Sequence, residues 1–166
     1  MTGGKAASSD ERSALIRRAR LDEYPLLATL IQAAFEEYRG RLDPPSGAHD
    51  ETAERLEGRL SDGGAFLATA GEQPAGCVLF HLRADHCYLD RLSVLPLHRH
   101  RGIGRLLIAA VEDVARTSGL ARVRLSVRPV LDGNRGMYAR LGYSFHAHGT
   151  HEGYASPTYL ILEKTL

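Results

Sequence analysis

The chain has 166 residues, 43% apolar, 25% charged and 7% aromatic, the composition of an ordinary globular domain rather than a disordered, collagenous or disulfide-built one. Its 21 Lys and Arg stand against 20 Asp and Glu, a formal net charge of +1, which gives no footing to a dedicated nucleic-acid or membrane-surface binder. A chain of this length buries about 70% of the surface its unfolded form exposes, so one domain holds a sufficient core without a metal or disulfide staple.

Residues 1–13, MTGGKAASSDERS, lack both the apolar stretch of a signal peptide and the Arg-rich amphipathic pattern of a transit peptide. They read as a disordered tail ahead of a single domain over 14–166. Ala14 to Arg20 is short and strand-like, and Asp22 is expected to cap a helix carrying Leu26, Leu27, Leu30, Ile31 and Ala34 at helical spacing. Residues 36–50, EEYRGRLDPPSGAHD, hold prolines and glycines without apolar periodicity. A structureless stretch of that length is usually functional or mobile, so it is marked as a binding loop. Residues 51–60 suit a short helix, after which AFLATA, a turn from Gly71 to Gln73, and PAGCVLFHL suit a β-hairpin.

Tyr88 to Leu95 is a further strand, closed by Pro96, and a basic turn HRHRGIGR follows from His98 to Arg105. The clearest helix comes next: Ile103, Leu106, Leu107, Ala110, Val111 and Val114 form one apolar stripe that stops before Gly119. Arg122 to Arg128 alternates like a half-buried strand, Asn134 to Leu141 suits a short helix, and YSFHAH and PTYLILEK close the chain as strands. The order β, α, α, β, β, β, α, β, α, β, β predicts a mixed α/β sheet with a right-handed crossover through the helix at 102–118. Ligands of such sheets sit at the carboxyl ends of strands, where the turn from His98 to Arg105 falls. No apolar run reaches the length of about 18 residues that a transmembrane helix needs.

Arg99, His100, Arg101, Gly102, Ile103 and Gly104 leave a strand and open a helix, so unpaired backbone N–H groups and the positive end of the helix dipole point out of the turn. Gly102 and Gly104 remove side chains where a pyrophosphate would approach, and Arg99, Arg101 and Arg105 can add cationic hydrogen bonds. The plainer reading is a tight turn that two glycines permit. Neither the dinucleotide pattern G-x-G-x-x-G nor the P-loop G-x-x-x-x-G-K-[ST] is present. The unit instead resembles the R/Q-x-x-G-x-G/A signature of the GNAT superfamily of N-acetyltransferases, in the same setting of strand YLDRLSVL, signature, amphipathic helix and strand RVRLSV. NRGMYARLGY, from Asn134 to Tyr143, is similar to that superfamily's downstream Tyr-x-x-x-Gly-aromatic segment.

The resemblance implies a GNAT-like fold: a central mixed, mostly antiparallel sheet of about seven strands with a parallel β-α-β crossover and about four helices. It implies acetyl-coenzyme A (acetyl-CoA) as cosubstrate, its pantetheine arm paired with the backbone of Leu92, Ser93 and Val94. Its pyrophosphate would be held by Arg99 and by the N–H groups of His100, Arg101, Gly102, Ile103, Gly104 and Arg105. Tyr138 takes the place of a general acid, and a phenol of pKa near 10 can protonate a departing thiolate whose conjugate acid has a pKa near 8.5. Many members place a cofactor-contacting asparagine where Leu131 stands, so Asn134 is either a cofactor contact or a helix cap. The usual base position falls on Tyr88. Asp90 shares its face on a regular strand and is the first candidate base, with a structural ion pair as the alternative and a water relay as a third route.

Glu37, Tyr38 and Asp43 are expected to bind the acceptor, the two carboxylates suiting a cationic amine. No metal is expected: His98 and His100 share their turn with three arginines, and His146 and His148 fall on the polar side of an alternating strand. Cys77 and Cys87 form neither a disulfide framework nor a catalytic pair and fit a reducing, cytoplasmic setting. The expected activity is acetyl transfer to a primary amine of a small molecule or peptide, with a catalytically silent acyl-CoA-binding domain as the alternative. Neither nucleic acid nor membrane is an expected partner, and a homodimer stays open.

Overall fold

A helix lies on each side of a strongly apolar strand hairpin in the computed structural model, which describes residues 14–166; the tail expected over 1–13 lies outside the described residues. The elements are β1 (Leu15–Arg18), α1 (Tyr24–Phe35), α2 (Ala53–Arg59), β2 (Gly63–Ala70), β3 (Gln73–Leu82), β4 (Cys87–Val94), α3 (Ile103–Thr117), β5 (Arg122–Val127), α4 (Asp132–Arg140), β6 (Ser144–Gly149) and β7 (Tyr159–Thr165). They follow the order read from the sequence. The strands form one seven-stranded sheet, β1-β2-β3-β4-β5-β7-β6, antiparallel except where α3 carries the chain across to lay β5 parallel to β4.

The sheet separates two cores. Leu27, Leu30 and Ile31 of α1 and Leu56 of α2 pack on Ala65, Leu67, Cys77 and Leu79. The stripe Ile103, Leu107, Ile108, Val111 and Ala115 of α3 packs on Ala68, Val78, Phe80 and Leu125 of the opposite face. Because β3 is covered on both faces, its apolar run is continuous instead of alternating. Each such fully buried side chain contributes about 1.5–3 kcal/mol of transfer free energy. Among the described residues no helix is long and apolar enough to cross a membrane.

Two local expectations are corrected. Asp22 does not cap α1: Leu21–Glu23 form a 3-10 turn, Asp22 pairs with Arg20, and Glu23 accepts from the Arg20 N–H at 2.8 Å and from the Arg17 guanidinium. The bond from Arg17, supported by Arg20, holds the Glu23 carboxyl at about 2. The segment 36–50 is not structureless either. It makes 3-10 turns at Glu36–Tyr38 and Gly47–Asp50, the second begun by the Ser46 hydroxyl accepting from the Ala48 N–H, and Ala48 is a fully buried plug in the α1 core. A single small apolar residue suffices for that anchoring, so no periodicity announces it.

The feature that positions everything below is a parting of strands. Parallel pairing of β4 with β5 stops at Leu89 and Leu125, although β4 runs on to Val94. Just past that point Val78 of β3 faces both Arg91 and Leu92, and Arg91 takes a left-handed φ of 50°. This is a β-bulge, which bends the strand and re-aims its side chains.

Candidate active site

Two clefts open where β4 leaves β5. One, of about 500 Å³, lies at the N-terminus of α3 and is lined by Tyr38, Leu92, Val94, the turn from His98 to Arg105 except Arg101, and Met137 of α4. The other, of about 640 Å³, lies at the carboxyl end of β5 and is lined by Arg59, Tyr88, Asp90, Arg91, Arg128 and His151, among others. Phe35, Leu92, Asn134 and Tyr138 belong to both walls.

One end of the α3 cleft is made of main chain. His100 and Gly102 take left-handed φ values of 61° and 79°, a pattern that turns successive N–H groups into one concavity and makes an anion nest. Glycine adopts this conformation freely at 102, whereas His100 bears some strain. The first backbone bond of α3 runs from the Leu106 N–H to the Gly102 carbonyl at 3.1 Å, so the N–H groups of Ile103, Gly104 and Arg105 have no helical acceptor and add the positive end of the dipole. A Cβ built on Gly104 would meet Met137 and Val94 only at 3.9 Å; its absence leaves an open floor beneath the nest. This donor set fits a diphosphate.

Arg99 lines the same cleft but serves it differently from the expectation. Its Nε donates to the Val94 carbonyl at 3.0 Å, Nη2 to the Ala34 carbonyl at 3.0 Å and Nη1 to the Glu37 carboxylate at 2.8 Å. The side chain therefore straps β4 to the last turn of α1, and cationic contacts from this turn fall to the exposed Arg101 and Arg105. Leu92 and Val94 face the cleft, while Ser93 is buried with its hydroxyl on the Arg91 carbonyl.

Tyr138 stands where the clefts meet. Its ring packs edge-on to Tyr143, with centroids 5.9 Å apart, and burial pushes its phenol well above the ordinary value. Asn134 lies one helical turn before it on the same face of α4. It is not a cap: the residue in that position is Leu131, which offers no side-chain hydrogen bond, so Asn134 is left as a cleft residue beside Tyr138.

The β5 cleft carries a cluster of charged side chains on a partly apolar wall. Asp90 accepts from Arg59, lies 3.4 Å from His81 Nε2 and has Arg91 at 3.9 Å. Burial pushes its carboxyl up, but His81, Arg91 and Arg59 outweigh that effect and hold it below the ordinary range. Arg59 reaches the buried Glu51 at 2.6 Å, and His81 Nδ1 reaches Asp62 at 3.2 Å. Tyr88 shares the face of Asp90, as expected for the regular part of the strand, and its hydroxyl donates to Ser126 at 2.8 Å across the parting. Glu51, Arg59, His81, Arg91 and Arg128 were invisible to motif reading, since they come from separate segments and belong to no pattern.

The expected acceptor residues do not gather in this second cleft. Glu37 and Tyr38 line the α3 cleft, Glu37 bound to Arg99, while Asp43 is exposed and accepts from the Tyr154 hydroxyl. Both cysteines are buried, and burial pushes their thiols up to about 12 for Cys77 and about 11 for Cys87, so neither supplies a thiolate near neutral pH.

Comparison with known proteins adds the following. Residues 26–143 match the acetyltransferase (GNAT) family. A thialysine N-epsilon-acetyltransferase of Caenorhabditis elegans is 30% identical over an aligned 95 residues, covering 53% of this chain and 58% of that relative's length. The PaiA N-acetyltransferase of Thermoplasma acidophilum, solved in complex with coenzyme A, superposes with a TM-score of 0.75 at 20% identity, over 93% of this chain and 99% of the other. An acetyltransferase of Streptococcus agalactiae superposes at 0.72 with 19% identity, over 93% and 99%.

Proposed function

Because this chain belongs to the GNAT acetyltransferase family, we propose that it moves an acetyl group from acetyl-CoA directly to a primary amine of a small molecule or peptide. The observation that carries the reading is the position of Tyr138 on the shared wall of two clefts that meet beside the parted strands. Direct transfer needs that arrangement, since donor and acceptor must meet without a covalent enzyme intermediate. The complex of the Thermoplasma acidophilum protein with coenzyme A supports the cosubstrate, and the partial match to a thialysine N-epsilon-acetyltransferase supports an amine acceptor.

The residues divide the work as follows. The N–H groups from His100 to Arg105 hold the diphosphate of the cosubstrate, assisted by Arg101 and Arg105, and the released edge of β4 from Leu92 to Val94 offers backbone groups to its pantetheine arm. When bound, acetyl-CoA supplies the reactive thioester. Tyr138 keeps its proton throughout the neutral range, because burial raises its phenol, and it donates that proton to the departing sulfur. Asn134 orients ligands beside it. Asp90 is ionised and faces the amine side, but a carboxylate shared among two arginines and a histidine is a weak base. It orients the amine, and the released proton leaves through water in the β5 cleft.

The test is thiol release from acetyl-CoA across amino acids, polyamines, aminoglycosides and peptides. Release dependent on at least one amine class supports the transferase. Tight cosubstrate binding with no amine-dependent release in any class would leave a silent binding domain instead.

A further inference from the structure

The β5 cleft holds more positive than negative charge, and the surplus sits on one residue. Arg59 and Arg91 each lie within ion-pair distance of both Glu51 and Asp90. Three guanidinium groups thus face two carboxylates. Arg128, which directly follows β5, lines the cleft and is half-buried. Among the described residues no carboxylate lies within 4 Å of its guanidinium and no hydrogen bond engages it, in contrast to every other arginine of this wall. Nor is Arg91 fully satisfied: its Nε is buried without a hydrogen-bond partner.

The groups around Arg128 do not remove that surplus. Burial lowers its proton affinity and Arg91 lowers it further, against the pull of Tyr154 and Asp43. The Asp43 carboxylate is turned to the Tyr154 hydroxyl. Burial and then Arg128 hold the His151 pKa below the ordinary value, which favours its uncharged form. Arg128, without a matching anion in a partly desolvated cleft and beside the incompletely hydrogen-bonded Arg91, makes an unfavourable arrangement that an incoming anion relieves.

We propose that the β5 cleft takes an acceptor whose primary amine is tethered to a carboxylate, and that Arg128 reads this carboxylate. The inference rests on the transferase reading and names its substrate class. A planar guanidinium matches a carboxylate by two parallel hydrogen bonds, which a lysine in its place would not reproduce. Arg128 and Tyr138 line the same cleft, so an anchored carboxylate leaves the other end of a short aliphatic chain free to present its amine to the shared wall. A polyamine or aminoglycoside, by contrast, would bring further positive charge towards Arg59, Arg91 and Arg128, with Asp90 as the one lining carboxylate among the described residues.

The test uses matched acceptors: ω-amino carboxylates of graded chain length, their carboxamides, and the diamines of equal length, in the thiol-release assay. At the best length the carboxylate should exceed its carboxamide in kcat/KM by about 10- to 100-fold, the effect residing in KM, as expected for one charge-assisted bidentate contact. Arg128→Gln should bring the carboxylate down to the level of its carboxamide, and Arg128→Lys should restore part of the difference. A second readout does not require turnover: with coenzyme A present, the carboxylate should raise the melting temperature of the wild type and not that of Arg128→Gln. Equal or better use of the carboxamide or diamine, or a melting shift that persists in Arg128→Gln, overturns the proposal. If no thiol is released while the Arg128-dependent shift is seen, the transferase reading falls and the carboxylate site stands.

Discussion

The two clefts are built by opposite means. The nest in the α3 cleft is one continuous stretch of main chain, with two left-handed residues and a helix start aiming N–H groups at one point. The β5 cleft draws Arg59 from α2, Asp90 and Arg91 from the bulged strand, Arg128 from beyond β5 and His151 from the segment before β7. A backbone site depends on conformation and is robust to most side-chain changes. A site of mutually paired charges depends on every member, because removing one leaves another buried and uncompensated. On the proposed reading, cosubstrate binding would reside in the first and acceptor choice in the second.

The largest expected effect lies on the wall common to both. Tyr138→Phe should lower kcat by about 10²- to 10⁴-fold, the range of a positioned general acid, with acetyl-CoA affinity nearly unchanged. Single-turnover kinetics check this; a change of less than twofold in the chemical step would make Tyr138 a packing residue.

Stripping one charge should damage only the second cleft. Asp90→Asn leaves Arg59 and Arg91 short of a partner and should cost about 3 kcal/mol of stability at neutral pH by urea unfolding. Since the folded-state carboxyl is held below its ordinary range, its stabilisation is complete above the unfolded pKa near 4 and is lost as pH falls below it. The gap between wild type and variant should accordingly narrow under acid. A gap independent of pH would show that the carboxylate charge is not what matters.

Blocking the backbone site should do the reverse. In Gly104→Val the unliganded fold should melt near the wild type, because a Cβ there meets nothing closer than 3.9 Å. The stabilisation of about 2.7 kcal/mol expected from acetyl-CoA at 100 times its dissociation constant should vanish. An undiminished cosubstrate shift in this variant removes the diphosphate from the α3 nest.

The smallest effect is expected outside the acceptor cleft. Glu37 is tied to Arg99 and Asp43 to Tyr154, so the double variant Glu37→Gln, Asp43→Asn should leave the acceptor KM within about twofold, as for ordinary surface changes. A severalfold rise would return these carboxylates to the substrate site and break the division between the clefts.

Legibility followed the same division. Periodicity gave away the stripe of α3 and the buried run of β3, and the strand order followed from the alternation of elements. Local capping signals mislead at two helix starts: Leu21–Glu23 form a 3-10 turn in which Glu23 binds Arg17 of β1, and α4 begins at Asp132, ahead of Asn134. Arg99 resembles a phosphate ligand by its place in the turn, yet its donors reach back to the end of α1.

From its sequence alone this protein declared the order of its elements, the glycine turn that opens α3 and the tyrosine one helix further on. Helical and strand periods, and the geometry of a glycine turn, are set by residues a few positions apart. Tertiary structure decided which charges meet: Arg99 with Glu37 across 62 positions, Arg59 with Asp90 across 31, and Arg128 with no carboxylate among the described residues. Coulomb energy falls with distance through space and with local dielectric, neither of which is written in the spacing of residues along a chain.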